Sequence, residues 1–190
     1  MKIKTVGLLG GSFDPAHAGH VNITKAALIC FNLDEVWWLV SPGSPIKKAS
    51  HFSFKSRLEF ASQLIQHPRV RVTDIEKRIG TIYTADTLSA LTHSFPKIQF
   101  VWLMGADNFV QFDQWRHWQR IMHKVPVGIL ARPGNRLAPL SARTARVFRL
   151  RRIATKQSRR LAKAQVPSWC YINLPMSHLS SSAIRISSHH

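Results

Sequence analysis

A short apolar run, Val6-Gly7-Leu8-Leu9, leads straight into Gly10-Gly11-Ser12-Phe13-Asp14-Pro15-Ala16-His17-Ala18-Gly19-His20, and a helix-like run follows from Val21 to Phe31. A buried strand thus hands over to a helix through a glycine pair, a turn and two histidines. Such a junction belongs to an α/β sheet, where the amides at the helix start and the helix dipole can face an anion. The rest of the chain repeats the alternation. Strands are expected over residues 3–9, 35–40, 70–74, 98–104, 126–131 and 169–174. Helices are expected over 19–31, 53–66 with Ser53 as N-cap, 84–94, and 180–186 at the C-terminal end. Residues 141–164 are expected to form a long basic helix or helix pair. Strands separated by helices predict a doubly wound, Rossmann-like parallel sheet with helices on both faces and a small C-terminal helical and strand extension.

At 190 residues, 45% of them hydrophobic, one domain spanning 1–190 is expected. Cys30 and Cys170 make no CxxC or Cys/His metal pattern, the N-terminal residues lack an apolar leader, and no apolar run is long enough to span a membrane; a cytoplasmic protein is expected. The charge is uneven. The first 113 residues hold 12 Lys or Arg and nine Asp or Glu, whereas the remainder holds 15 Lys or Arg and no acid. Nine of these basic side chains lie in residues 143–163. A field of this sign draws anionic substrates or nucleic acid, yet no RRM, KH or zinc pattern accompanies it. A solvated helix face on a basic protein accounts for it more simply.

Proline and glycine punctuate the strand ends, at Ser41-Pro42-Gly43-Ser44-Pro45, Gly105-Ala106-Asp107-Asn108 and Arg132-Pro133-Gly134. Ligands of open α/β sheets bind outside the carboxyl ends of strands, so these loops and the first glycine loop point to one crevice. Gly10 and Gly11 are expected to take positive φ and let backbone approach a ligand. His17 and His20, three residues apart at a helix start, can both address one phosphate and stabilise charge on a phosphoryl oxygen. A metal pair is the alternative, but no third ligand stands nearby. Asp107 is either a helix cap or a substrate contact, and Asp14 either holds the turn or touches ligand. Trp115 and Trp118 are either core or a stacking surface. Lys47 and Lys48 are a phosphate contact or a solvated loop pair, and Ser180 and Ser182 an N-cap or an anion site.

The stretch GGSFDPAHAGH resembles the GG(S/T)FDPxHxGH motif of the bacterial nicotinate-mononucleotide adenylyltransferases, whose wider nucleotidyltransferase superfamily keeps HxGH. Further segments resemble the family in order: Tyr83-Thr84-Ala85-Asp86-Thr87-Leu88, Gly105-Ala106-Asp107, Trp115 in its F-x-x-W setting, Arg132-Pro133-Gly134, and Leu179-Ser180-Ser181-Ser182-Ala183-Ile184-Arg185 against IS(S/T)TxIR. Six elements in order over nearly the whole chain make the resemblance specific.

It implies that the mononucleotide phosphate attacks the α-phosphorus of ATP, giving deamido-NAD and pyrophosphate in NAD biosynthesis. The nucleophile is already an anion, so positioning and charge stabilisation carry the reaction. The resemblance assigns ATP contacts to Gly10, Gly11, Ser12, Phe13, His17, His20, Gly105 and Asp107, with His17 and His20 as the catalytic pair. A C-terminal clamp within about residues 168–188, made by Ser180, Ser182 and Arg185, takes the β- and γ-phosphates. Tyr83, Thr84, Trp115, Lys47 and Arg132 are assigned to the mononucleotide. Mg2+ is expected to travel with the ATP phosphates without a protein metal site.

The chain departs from the family pattern at Ser182, where Thr is commoner, and at Leu179, where Ile is; the 143–163 stretch matches no family motif. Phosphopantetheine adenylyltransferases, with Thr in place of His17, are the nearest alternative, and use of the amide mononucleotide is another. The expected partners are ATP and nicotinate mononucleotide, with neither membrane nor nucleic acid. No oligomeric state is predicted.

Overall fold

A computed structural model describes residues 3–43, 50–131 and 138–174. Seven strands form one sheet: β1 (Lys4–Gly11), β2 (Glu35–Val40), β3 (Val70–Thr73), β4 (Ile98–Gly105), β5 (Val127–Ala131), β6 (Arg152–Ile153) and β7 (Trp169–Asn173). Their order is β3-β2-β1-β4-β5-β7-β6, and every pairing is parallel. The helices are α1 (Ala18–Cys30), α2 (Phe54–Leu64), α3 (Ile75–Arg78), α4 (Thr84–Ser94), α5 (Ala106–Val110), α6 (Trp118–Lys124), α7 (Ala138–Ser141) and α8 (Arg143–Val147). No helix among the described residues is long and apolar enough to cross a membrane.

The inner strands are apolar on both faces, as parallel strands covered by helices must be. In β2 the period of two sends Trp37 and Leu39 to one core layer and Val36, Trp38 and Val40 to the other. The first layer continues through Phe100, Trp102 and Met104 to α4, α5 and α6, and the second through Val101 and Leu103 to α1 and α2. After β3 the chain crosses back over β1 to start β4, so the sheet reverses direction between β1 and β4. In doubly wound sheets ligands bind at such a switch point, beyond the carboxyl ends of both strands.

The six expected strands and the helices over 19–31, 53–66 and 84–94 are present within a few residues. Ser53 caps α2, its Oγ accepting from the Ser56 amide at 3.1 Å. The expected long basic helix over 141–164 is absent. In its place stand α8, a 3-10 turn (Arg149–Arg151), β6 and a 3-10 segment (Thr155–Lys163). Pairing of Arg152 and Ile153 with Trp169 and Cys170 overrides the helical propensity of the Ala- and Arg-rich stretch. The C-terminal strands thereby join the main sheet.

Candidate active site

The glycine loop is built differently from its sequence expectation. Gly10 and Gly11 are the last two residues of β1, paired with Leu39 and Val40. Neither takes a positive φ; the left-handed turn is made by Phe13, at φ 47°. Phe13 is 1% exposed, stacked on Trp38 at 4.9 Å between ring centroids and lying 4.8 Å from His20. A bulky residue persists in that strained region only when its surroundings hold it there. The space a side chain at Gly10 would need is filled by the Trp102 indole, whose Cη2 would lie 2.4 Å from a Cβ. Gly10 is therefore required by packing against β4.

His17 is the N-cap of α1 and closes a reciprocal capping box with His20. The Gly19 amide donates to His17 Nδ1 at 3.0 Å, and the His17 amide donates to His20 Nδ1 at 3.2 Å. An Nδ1 that accepts an amide proton carries none itself, so the neutral ring holds its proton on Nε2 and is a donor there. The two rings lie 3.9 Å apart. His17 is buried, and Trp38 Nε1 donates to Thr24 Oγ1, which donates to the His20 carbonyl, fixing the first turn of α1. A sequence motif of two histidines has become two oriented hydrogen-bond donors at a helix N-terminus.

Asp14 holds the loop. Burial opposes ionisation, but the His51 and Phe52 amides donate to its carboxylate at 2.8 and 3.0 Å and keep its pKa below the ordinary value. Arg57 fastens the same region from beneath. Its guanidinium donates to the carbonyls of Ser12 at 2.5 Å, Ser41 at 2.8 Å and Phe52 at 3.3 Å, with the residue 2% exposed. Burial pulls its pKa below the ordinary guanidinium value, against the attraction of Asp14. Arg57 is not among the residues singled out above, although the sequence carries a signal for it. It stands in the apolar stripe of α2, between Phe54 and Leu58, where a charge is out of place unless it holds something.

On the other side of the crevice, β4 ends in Gly105, which caps α5 without a side-chain bond. A Cβ there would lie 2.7 Å from Asp107 Oδ1, so glycine leaves room for that carboxylate. Asp107 lies in the first turn of α5 and is not its cap. Trp115 packs edge-on against Trp102 at 6.3 Å and Phe112 at 5.3 Å, partly buried. Trp102 thus joins Gly10 to Trp115 across the switch point, and its Nε1 is buried with no hydrogen-bond partner among the described residues. Tyr83 is the N-cap of α4 and makes no side-chain cap bond, so Thr84 opens a helix whose first amides have no side-chain acceptor in that cap. The Arg116 guanidinium lies 4.4 Å from the centre of the Tyr83 ring. His117, at φ 56°, turns the chain into α6.

Gly10, Gly11, Ser12, Phe13, His17 and His20 therefore come together at the β1–α1 junction, with Gly105 and Asp107 at the end of the neighbouring β4. Tyr83 and Trp115 lie on the α4–α6 side, bridged by Arg116. Lys47, Lys48, Arg132, Ser180, Ser182, Arg185 and the expected 180–186 helix lie outside the described residues. No group of three or more His, Cys, Asp or Glu suited to a metal ion occurs among the described residues.

Residues 8–186 match a family described as cytidylyltransferase-like. Over 181 residues the chain is 52% identical to the probable nicotinate-nucleotide adenylyltransferase of Ruegeria sp. (strain TM1040), a match covering 95% of this chain and 96% of the relative. The protein of the same name from Cereibacter sphaeroides is 55% identical over 180 residues, with the same two coverages. In fold the chain is similar to the Plasmodium falciparum nicotinic acid mononucleotide adenylyltransferase complexed with NaAD. The TM-score is 0.72 over 96% of this chain and 83% of that one, at 18% sequence identity.

Proposed function

The chain belongs to the nicotinate-nucleotide adenylyltransferases of the cytidylyltransferase-like family, and on that premise we propose that it transfers the adenylyl group of ATP to nicotinate mononucleotide. The products are nicotinate adenine dinucleotide and pyrophosphate. A mononucleotide phosphate oxygen forms a bond to the ATP α-phosphorus as the bond from that phosphorus to the oxygen bridging to the β-phosphate breaks, and pyrophosphate leaves with the electron pair. The attacking oxygen is already anionic, so no base removes a proton.

The observation that carries this reading is the His17–His20 capping box. With both Nδ1 atoms accepting amide protons, each Nε2–H is a fixed donor. A donor oriented before the reaction stabilises charge gathering on the phosphoryl oxygens without reorganising. His20 faces the α-phosphate and His17 its neighbour. The amides of Gly10, Gly11, Ser12 and Phe13 take the triphosphate, and Gly105 and Asp107 the adenosine side. Ser180, Ser182 and Arg185 clamp the β- and γ-phosphates. Trp115 stacks on the pyridine ring, Tyr83 and Thr84 present the N-terminal amides of α4 to its carboxylate, and Lys47 and Arg132 take the mononucleotide phosphate. Mg2+ enters as MgATP and keeps most of its waters. The domain spans 1–190, and a cytoplasmic setting is supported by the two unpaired thiols of Cys30 and Cys170.

The test is pyrophosphate release by purified protein given ATP, Mg2+ and either nicotinate or nicotinamide mononucleotide. We expect turnover with the acid, and a smaller kcat/KM with the amide. No release with either substrate overturns the reading.

A further inference from the structure

We propose that Glu76 is a positioning residue for the nicotinate end of the mononucleotide site, acting through Thr87 and Thr81 on the first turn of α4. The inference rests on the reading that sets the pyridine ring beside Tyr83 and Thr84.

Glu76 is 6% exposed, on the four-residue helix α3 directly before that site. Thr87 Oγ1 donates to its carboxylate at 3.0 Å, and no ion pair among the described residues reaches it. A buried carboxyl served by one neutral donor is costly, and an apolar side chain would pack there more cheaply. What the carboxyl does is order a chain of hydroxyls. Thr81 Oγ1 lies 2.9 Å from Thr87 Oγ1. Each hydroxyl has a single proton; that of Thr87 is shared between the Glu76 carboxylate and the Tyr83 carbonyl, 3.2 Å away, so Thr81 donates to Thr87.

The backbone closes the same knot. α3 ends in Gly80 at φ 68°, where glycine meets the left-handed requirement. The Thr81 amide donates to the Glu76 carbonyl at 2.9 Å and the Gly80 amide to that of Lys77 at 3.3 Å, the paired bonds of a Schellman stop. At the other end, the Asp86 and Thr87 amides donate to the Tyr83 carbonyl at 3.0 Å. Glu76 thus fixes Thr81 by backbone and Thr87 by side chain. The 81–84 segment runs between these anchors, with Arg116 stacked on the far side of Tyr83. Loss of the carboxyl or the Thr87 hydroxyl frees that segment and misplaces the amides of Tyr83 and Thr84. The reacting phosphates, on the β1–α1 side, are untouched.

Steady-state kinetics of Thr87→Val and Glu76→Leu test this, with Thr87→Ser and Glu76→Gln as conservative counterparts. Loss of one buried hydrogen bond to a charged group raises KM for nicotinate mononucleotide roughly tenfold. KM for ATP should stay near its wild-type value. Thr87→Ser, which keeps the hydroxyl, restores KM, and Glu76→Gln, which keeps an acceptor, falls between. The proposal is overturned if KM for the mononucleotide is unchanged, or if both KM values rise together as the melting temperature falls. If Glu76→Leu does not fold, the two Thr87 variants decide alone. Trp115→Ala separates the two levels. Should it raise the mononucleotide KM while the Thr87 and Glu76 variants do not, only the positioning role falls. Should none of them raise it, the placement of the ring falls as well.

Discussion

His20 serves structure and chemistry with the two nitrogens of one ring. Nδ1 caps α1 by accepting the His17 amide, and Nε2 is the donor offered to phosphate. The two contributions separate by size. Losing a capping acceptor costs about 1 kcal/mol, whereas losing one oriented transition-state donor costs about 100- to 1,000-fold in kcat. His20→Ala is therefore expected to abolish most turnover with only a small shift in urea midpoint; equal losses in stability and rate would mark a purely structural histidine. Arg57 should behave oppositely. Arg57→Met strands the carbonyls of Ser12, Ser41 and Phe52 and is expected to destabilise the fold by about 3 kcal/mol, because unpaired buried acceptors bear their full desolvation cost. Urea denaturation would measure it, and a loss below about 1 kcal/mol would mean that water replaces the guanidinium.

At the scale of elements, what the sequence made legible was what periodicity and glycine encode. Continuous apolar runs located the strands, and the Phe54, Leu58, Ala61 and Ile65 stripe located α2. The GGSFDPAHAGH junction located the β1–α1 wall. Features decided by tertiary context were not legible. α3 is one turn long, too short for a hydrophobic period, and its only mark is Lys77-Arg78 before Gly80. The positive φ fell on Phe13 because Trp38 and His20 hold its ring, while Gly10 was needed by Trp102. The failed helix over 141–164 was decided by an edge pairing with β7. The α3–α4 junction also predicts a pH dependence. Burial raises the Glu76 pKa from 4.5 to about 7, against the Thr87 hydrogen bond. A carboxyl whose folded pKa lies above its unfolded value loses stability as pH rises. The penalty is absent below 4.5, grows through the interval and is complete above about 7, at about 3 kcal/mol. Unfolding free energies of the wild type and Glu76→Gln, compared at about pH 5 and pH 8, should show that decline in the wild type alone. Parallel pH profiles would mean that Glu76 is not the group responsible.

For the molecule as a whole, the unresolved quantity is its charge. The chain carries +18, and no acid follows Asp113. All nine basic side chains of residues 143–163 are exposed, and the ion pairs among the described residues all lie before residue 79. The start of the segment, α8, packs against α5 beyond the carboxyl end of β4, whereas its later part turns back toward the strand starts. Arg152 pairs with Trp169 at the first residue of β7, and Arg159 reaches Asn32 just past the end of α1. Arg152 and Arg159 lie toward the strand starts, at the opposite ends of the strands from the site, and exposed charges act over only ~10 Å at 0.1 M salt. That later part of the patch therefore adds self-repulsion without steering ATP. Added salt should raise the melting temperature by screening it. Replacing Arg151, Arg159, Arg160 and Lys163 together by Gln should raise the low-salt melting temperature, flatten its salt response and leave kcat/KM for ATP within about twofold, since steering decays over the same length. A large fall in kcat/KM in that variant would instead make the patch part of substrate capture. Unrelated RNA retarded at physiological salt by the wild type, but not by the variant, would make it a nucleic-acid surface whose phosphate contacts survive that screening.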